Sequence, residues 1–226
     1  MKLLTTTLFA FGLASGAVLA ESADEATSDP ATSTPELDTV MDWSGAYVGG
    51  ILSFGSGVYG NDAIFPGDGE GELSGPGVGG LVGYNFQNSK FVYGAELALS
   101  ASRLHGTEEC NNPDFECALE FSTVGSLRLR GGYLASSDTL IYGLAGVAAG
   151  DADGFVDDGS GPEGEVNRLN GTVFGIGVER AFKERLRGRI GINRYTFDGQ
   201  DFQTDQVYPD VSSSFNELEA AIIYSF

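Results

Sequence analysis

Several things are scarce in this chain, and each scarcity excludes something. Beyond residue 20 no apolar run approaches the roughly 20 residues that a spanning helix needs, so later membrane contact must be made by strands. Lys plus Arg number 12 against 32 Asp plus Glu, a formal net charge of -20, and so acidic a surface repels nucleic acid phosphates. Histidine occurs once, at His105, with no G-x-S-x-G and only Ser100, Ser102 and Glu108 as candidate partners. That is no hydrolase pattern, and no enzyme activity is expected. The glycines of Gly75–Gly83 are followed by no Lys-Ser/Thr and no helix start, which removes a phosphate loop, and no cofactor is expected. The acidic run from Asp151 to Gly159 lacks the twelve-residue calcium pattern and its final Glu. Cysteine occurs twice, at Cys110 and Cys117, too close together to staple a fold. In an exported chain the pair is expected to form a local disulfide.

Export is suggested by the first residues. Met1-Lys2, an apolar stretch Leu3–Leu19 and the small-residue site Val18-Leu19-Ala20 predict a signal peptide over 1–20. Residues 21–42 are acidic, rich in Ser, Thr, Pro and Ala, and aperiodic, which predicts a disordered spacer. From Trp43 the texture becomes alternating, glycine-rich and aromatic, and 43–226 forms one domain.

Strand segments fall at about 43–55, 76–86, 91–103, 119–133, 140–150, 168–182, 186–198 and 214–226. Tight turns at Gln87–Lys90, Leu134–Thr139 and Lys183–Arg185 alternate with long loops over 56–75, 104–118, 151–167 and 199–213. Taking the apolar row of each strand as outward places Leu52, Val82, Leu97, Phe121, Leu129, Leu140, Tyr142, Leu144, Ile176, Ile190 and Leu218 on one face. The opposite face carries glycine and charge, Gly143 included. Glu96, Arg128, Arg130, Glu179, Arg187, Arg189, Glu217 and Glu219 are expected to form an interior ion-pair network, since unpaired charges inside a sheet are costly. Glu179 faces Arg189 across the Lys183–Arg185 turn. Tyr84, Phe86, Phe91, Tyr93, Tyr133, Tyr142 and Phe182 gather near the tight turns, as an interface girdle requires. The pattern predicts an all-β fold, an eight-stranded antiparallel up-and-down transmembrane β-barrel with a polar plug and no wide pore.

W-S-G-A-Y-V-G-G (43–50), Y-G-A-E-L (93–97), L-R-L-R-G-G-Y (127–133), L-I-Y-G-L-A-G-V-A (140–148) and T-V-F-G-I-G-V-E-R-A-F (172–182) occur in order at strand spacing. With the terminal Tyr224-Ser225-Phe226, they resemble the small outer-membrane β-barrel proteins of Gram-negative bacteria (porin-family, OmpA-like transmembrane domain). The resemblance covers about 43–226 without the loops. It implies an interior carboxylate at Glu96, arginines at Arg128 and Arg130, and a glutamate at Glu179. Gly191, Asn193 and Arg180 depart from the family pattern.

The resemblance also implies a cell outer-membrane location, with both termini and the spacer periplasmic and the long loops extracellular. Expected partners are outer-membrane lipid and lipopolysaccharide, and the barrel-assembly machinery through Tyr224 and Phe226. Divalent cations shared between the acidic loops and the outer leaflet are a further expectation. Arg194, on the outward parity high on the seventh strand, either meets lipid phosphates by snorkelling or stands at the rim with no specific partner. The role expected is a structural or surface one in the envelope, with a narrow solute channel as the alternative and a barrel enzyme third.

Overall fold

Neighbouring segments that alternate in polarity and are joined by tight turns pair as antiparallel hairpins, and a sheet in lipid must close on itself to satisfy its edges. A computed structural model, which describes residues 41–226, has this closed form. The expected signal peptide and nearly all of the spacer lie outside the described residues. Eight strands run up and down in chain order: β1 Gly45–Gly60, β2 Gly71–Asn88, β3 Phe91–Glu109, β4 Glu116–Ser136, β5 Thr139–Asp157, β6 Pro162–Lys183, β7 Leu186–Gln203 and β8 Val207–Ser225. Antiparallel pairing of β1 with β8, from Tyr47↔Ser225 to Gly60↔Ser212, closes the barrel.

The strands are longer than the sequence pattern suggests. They run from 16 residues in β1 to 22 in β6, whereas about 9–11 cross a bilayer. The surplus lies at the end away from the tight turns and absorbs most of the expected long loops, leaving connections at 61–70, 110–115, 158–161 and 204–206. Acidic side chains interrupt the apolar row there, and the alternation that marks a membrane strand fades although the hydrogen-bonded ladder continues.

The two faces are inverted relative to a water-soluble barrel. Leu52, Leu97, Leu129, Ile176, Ile190 and Leu218 are more than half exposed on the outer wall, while Glu96, Arg128, Arg189 and Glu219 are about 1–2% exposed inside. Several inward glycines make room for rings opposite. A Cβ on Gly177 would lie 2.4 Å from the Tyr142 hydroxyl, and one on Gly83 equally close to that of Tyr47.

Two parts of the expected face pattern are corrected. Phe121 points inward and is fully buried, because the β4 register shifts between Phe121 and Thr123. A bulge of this kind reverses which face the following residues occupy. In β5 the whole row is reversed: Leu140, Tyr142 and Leu144 are buried inside, while Ile141 and Val147 are exposed and Gly143 shares their outward face. Both rows of β5 are apolar, so hydrophobicity cannot choose between them; the register with β4, Tyr133↔Ile141 and Gly131↔Gly143, does.

This reversal is testable by thiol labelling of the barrel in liposomes. Ile141→Cys should react readily with a lipid-soluble maleimide and Tyr142→Cys should be protected; the opposite pattern would restore the sequence assignment.

Candidate functional site

The register delivers charges of opposite sign to the same height on neighbouring strands. Glu96 lies beside Arg128 across β3 and β4, and Glu179 beside Arg189 across β6 and β7. The strand walls are close enough for these side chains to meet across the lumen. Arg189 donates to Glu96 Oε2 at 2.8 Å and lies 3.1 Å from Glu179 and 3.5 Å from Glu219. Glu179 is also held by Arg130 at 2.8 Å and Arg187 at 3.1 Å, and Glu219 by Arg128 at 2.9 Å. The Tyr47 hydroxyl donates to Glu96 at 3.0 Å while accepting from Arg130 at 3.3 Å, and the Tyr195 hydroxyl accepts from Arg128 at 2.8 Å.

Rings carry the remaining guanidinium surface. Arg130 lies 4.5 Å and Arg189 5.3 Å from the centre of the Tyr142 ring, and Arg187 lies 4.8 Å from that of Trp43. Such stacking compensates cations withdrawn from water. The interior holds four buried carboxylates, Glu96, Glu179, Glu217 and Glu219, and four buried guanidiniums, Arg128, Arg130, Arg187 and Arg189. The formal charges of these eight side chains cancel, although the whole chain is strongly acidic.

Seven of the eight expected network residues therefore meet in salt bridges. Glu217 joins differently: it accepts from Asn193 at 3.2 Å and borders a small cavity with Ser53, Ser100 and Ser102. Tyr142, expected in the girdle, is instead part of the ionic layer. The other expected girdle residues, Tyr84, Phe86, Phe91, Tyr93, Tyr133 and Phe182, are exposed on the outer wall near the tight turns, as are Tyr224 and Phe226. Several touch, for example Tyr84 with Phe86 at 4.9 Å and Phe91 with Tyr133 at 5.4 Å between ring centres. Arg180 also faces outward and pairs with Asp138 in the β4–β5 turn at 3.0 Å. The hydroxyl of Ser136, then that of Thr139, with Arg180 adding to them, holds the Asp138 carboxyl down to about 2.

A second interior layer was not foreseen. Away from the tight turns the lumen is packed with rings: Phe121 against Phe197 at 5.2 Å and Tyr195 against Phe215 at 5.0 Å. Above them Phe65, carried in from the 61–70 connection, is fully buried between Tyr208 at 5.0 Å and Tyr59 at 6.1 Å. Tyr59 donates its hydroxyl to the Cys117 carbonyl at 2.8 Å, and burial raises its pKa well above the ordinary phenol value, so it remains a donor. Cys110 and Cys117 form the expected disulfide beside this layer. The signal existed in the sequence, since Tyr195 and Phe197 continue the inward row of Arg187, Arg189 and Asn193.

His105 is exposed on β3, whereas Ser100 and Ser102 line the interior cavity, so neither of these candidate serines is brought to it. Among the described residues no three His, Cys, Asp or Glu side chains gather in a way that could hold a metal ion.

Comparison with known proteins converges on this architecture. The family model for the outer membrane protein beta-barrel domain matches residues 11–215. The chain belongs to that family. This outer-membrane barrel is 30% identical to the 22 kDa outer membrane protein of Rhizobium leguminosarum bv. viciae, over 72% of its own length and 68% of that protein. It is 27% identical to the 31 kDa outer-membrane immunogenic protein of Brucella melitensis biotype 1, over 89% of its own length and 88% of that protein. The outer membrane protein OprG from Pseudomonas aeruginosa shares the fold, with a TM-score of 0.52 at 10% identity over 81% of this chain and 97% of that one.

Removing one partner from a buried pair leaves the others uncompensated. Glu179→Gln should lower the unfolding free energy of the lipid-embedded barrel by about 3–5 kcal/mol, read from urea titrations. A loss below about 1 kcal/mol would show that Glu179 is not holding three arginines.

Proposed function

We propose that this outer-membrane barrel is a closed structural and surface element of the envelope rather than a conduit, with both termini periplasmic and the longer connections extracellular. One observation carries the reading: the lumen is filled at two heights, by the ionic layer and by the ring layer beneath Phe65. Eight strands leave an interior just wide enough for side chains to fill, so a continuous water path needs one of these layers to move.

The outer wall fits this role. The aromatics near the tight turns act as the periplasmic interface girdle. At the other rim Arg194, exposed and donating to Ser214 at 2.7 Å, is placed to meet lipopolysaccharide phosphates. Divalent cations shared between the acidic strand extensions and those phosphates would offset the repulsion between them; unchanged thermal stability on chelation would rule this out. The exposed Tyr224 and Phe226, with the terminal amide of Phe226 bonded to the Ala46 carbonyl at 3.1 Å, form the element presented to the barrel-assembly machinery. Deleting Phe226 should reduce the heat-modifiable, membrane-inserted fraction, and normal insertion without it would remove the terminal-signal reading.

A narrow channel for small solutes or ions is the second reading. It is favoured by the cavity bordered by Ser53, Ser100, Ser102 and Glu217 between the two layers, with room for roughly one water. Planar-bilayer recording separates the two. The purified barrel should stay electrically silent, and Phe65→Ala alone should not open it because the ionic layer remains. Discrete conductance steps from the unaltered protein would establish the channel instead.

A further inference from the structure

The wall of the barrel is incomplete between β6 and β7. The ladder between β6 and β7 ends at Gly171↔Phe197, although β6 continues outward to Pro162 and β7 to Gln203. Beyond that point β6 is paired only with β5, as far as Asp157↔Pro162, and β7 only with β8, as far as Gln203↔Val207. Elsewhere at this end β3–β4 and β4–β5 stay paired up to Glu109↔Glu116 and Glu116↔Asp157. The cause is visible in β7, whose register with β8 shifts twice between Phe197 and Phe202. Phe202 is fully buried and reaches past β6 to the inner face of β5, where a Cβ on Gly154 would lie 2.4 Å from its ring. The β7–β8 ribbon thus leans into the mouth, while β6 stands away with Pro162–Val166 exposed on both faces.

Two side-chain links span the opening. Asn167 donates to the Asp201 carbonyl at 3.1 Å, and the Gln203 amide donates to Glu165 Oε1 at 2.8 Å. They cannot replace a ladder, so the β7-facing main-chain groups of Pro162–Asn170 lack strand partners. A free strand edge of this kind is a template for another extended chain. Its rim is acidic: Glu163, Glu165, Asp198, Asp201 and Asp205 flank the opening, and the nearby Arg168 is matched by Asp151 at 2.8 Å.

We propose that the free edge of β6, Pro162–Asn170, docks an extended lysine- or arginine-bearing segment of a partner protein by strand addition. Main-chain hydrogen bonds supply the attachment, and the acidic rim selects cationic side chains. A second copy of this acidic chain, or lipopolysaccharide phosphate, would bring like charge to the same rim. That the opening faces the cell exterior rests on the orientation proposed above, but binding to the edge does not.

The test uses the full chain folded in detergent, titrated calorimetrically with two synthetic peptides of equal charge. One alternates Lys and Val; the other carries proline at every second position and so cannot pair as a strand. The alternating peptide should bind and the proline peptide should not. Bridging Asn167→Cys to Asp201→Cys with a short bis-maleimide should weaken binding by at least about tenfold, with heat-modifiable migration confirming that the variant is folded. Equal binding of both peptides, unchanged affinity after bridging, or no binding of the alternating peptide would each overturn the proposal. None of these outcomes bears on bilayer conductance, so the closed-barrel reading stands or falls separately.

Discussion

Arg189 is the interaction on which the rest of this barrel depends. Its guanidinium is fully enclosed and lies within 3.5 Å of three carboxylates, Glu96, Glu179 and Glu219, carried by β3, β6 and β8. A cation moved out of water is strongly destabilising unless its neighbours restore what hydration gave it. Here they do so from opposite walls, so the charge is accommodated only when the sheet has closed. Closure is also what lipid demands of any strand, since an open edge in hydrocarbon leaves hydrogen-bonding groups unsatisfied. The ionic layer and the topology therefore favour the same state.

The two interior layers divide the work. Near the tight turns, ion pairing and ring stacking let charge occupy a dry space, with Trp43, Tyr47 and Tyr142 covering the guanidiniums. Farther out, Phe121, Phe197 and Phe215 fill the lumen as an ordinary apolar core would. That outer core explains how strands can run on beyond the lipid-facing band: they bury apolar surface against each other rather than against lipid. The disulfide and the Tyr59–Cys117 hydrogen bond fix the tip of the β3–β4 hairpin to the edge of this core.

Much of this was legible in the sequence, for physical reasons. Strand number, order and closure follow from alternation and turn spacing. Glu96, Arg128, Glu179 and Arg189 could be assigned to one network because charge facing inward on neighbouring strands must be paired. Phe121 was placed on the wrong face, since a bulge leaves no mark in composition yet exchanges the faces. Tyr142 was misplaced because Leu140-Ile141-Tyr142 is apolar on both sides, and only the register with β4 separates them. The strand extensions were hidden by their acidity, which reads as loop although the pairing persists. The parting of β6 from β7 leaves no trace in residue pattern, because it arises from register shifts within β7.

The most direct measurement is a double-mutant cycle between Glu96 and Arg189, using Glu96→Gln, Arg189→Met and the pair, with unfolding followed in lipid. A buried, shared pair predicts a coupling of about 1–3 kcal/mol, with the double variant more stable than the sum of its parts. Additive effects would mean that the two charges do not meet inside the cylinder, and the inside-out account would fail.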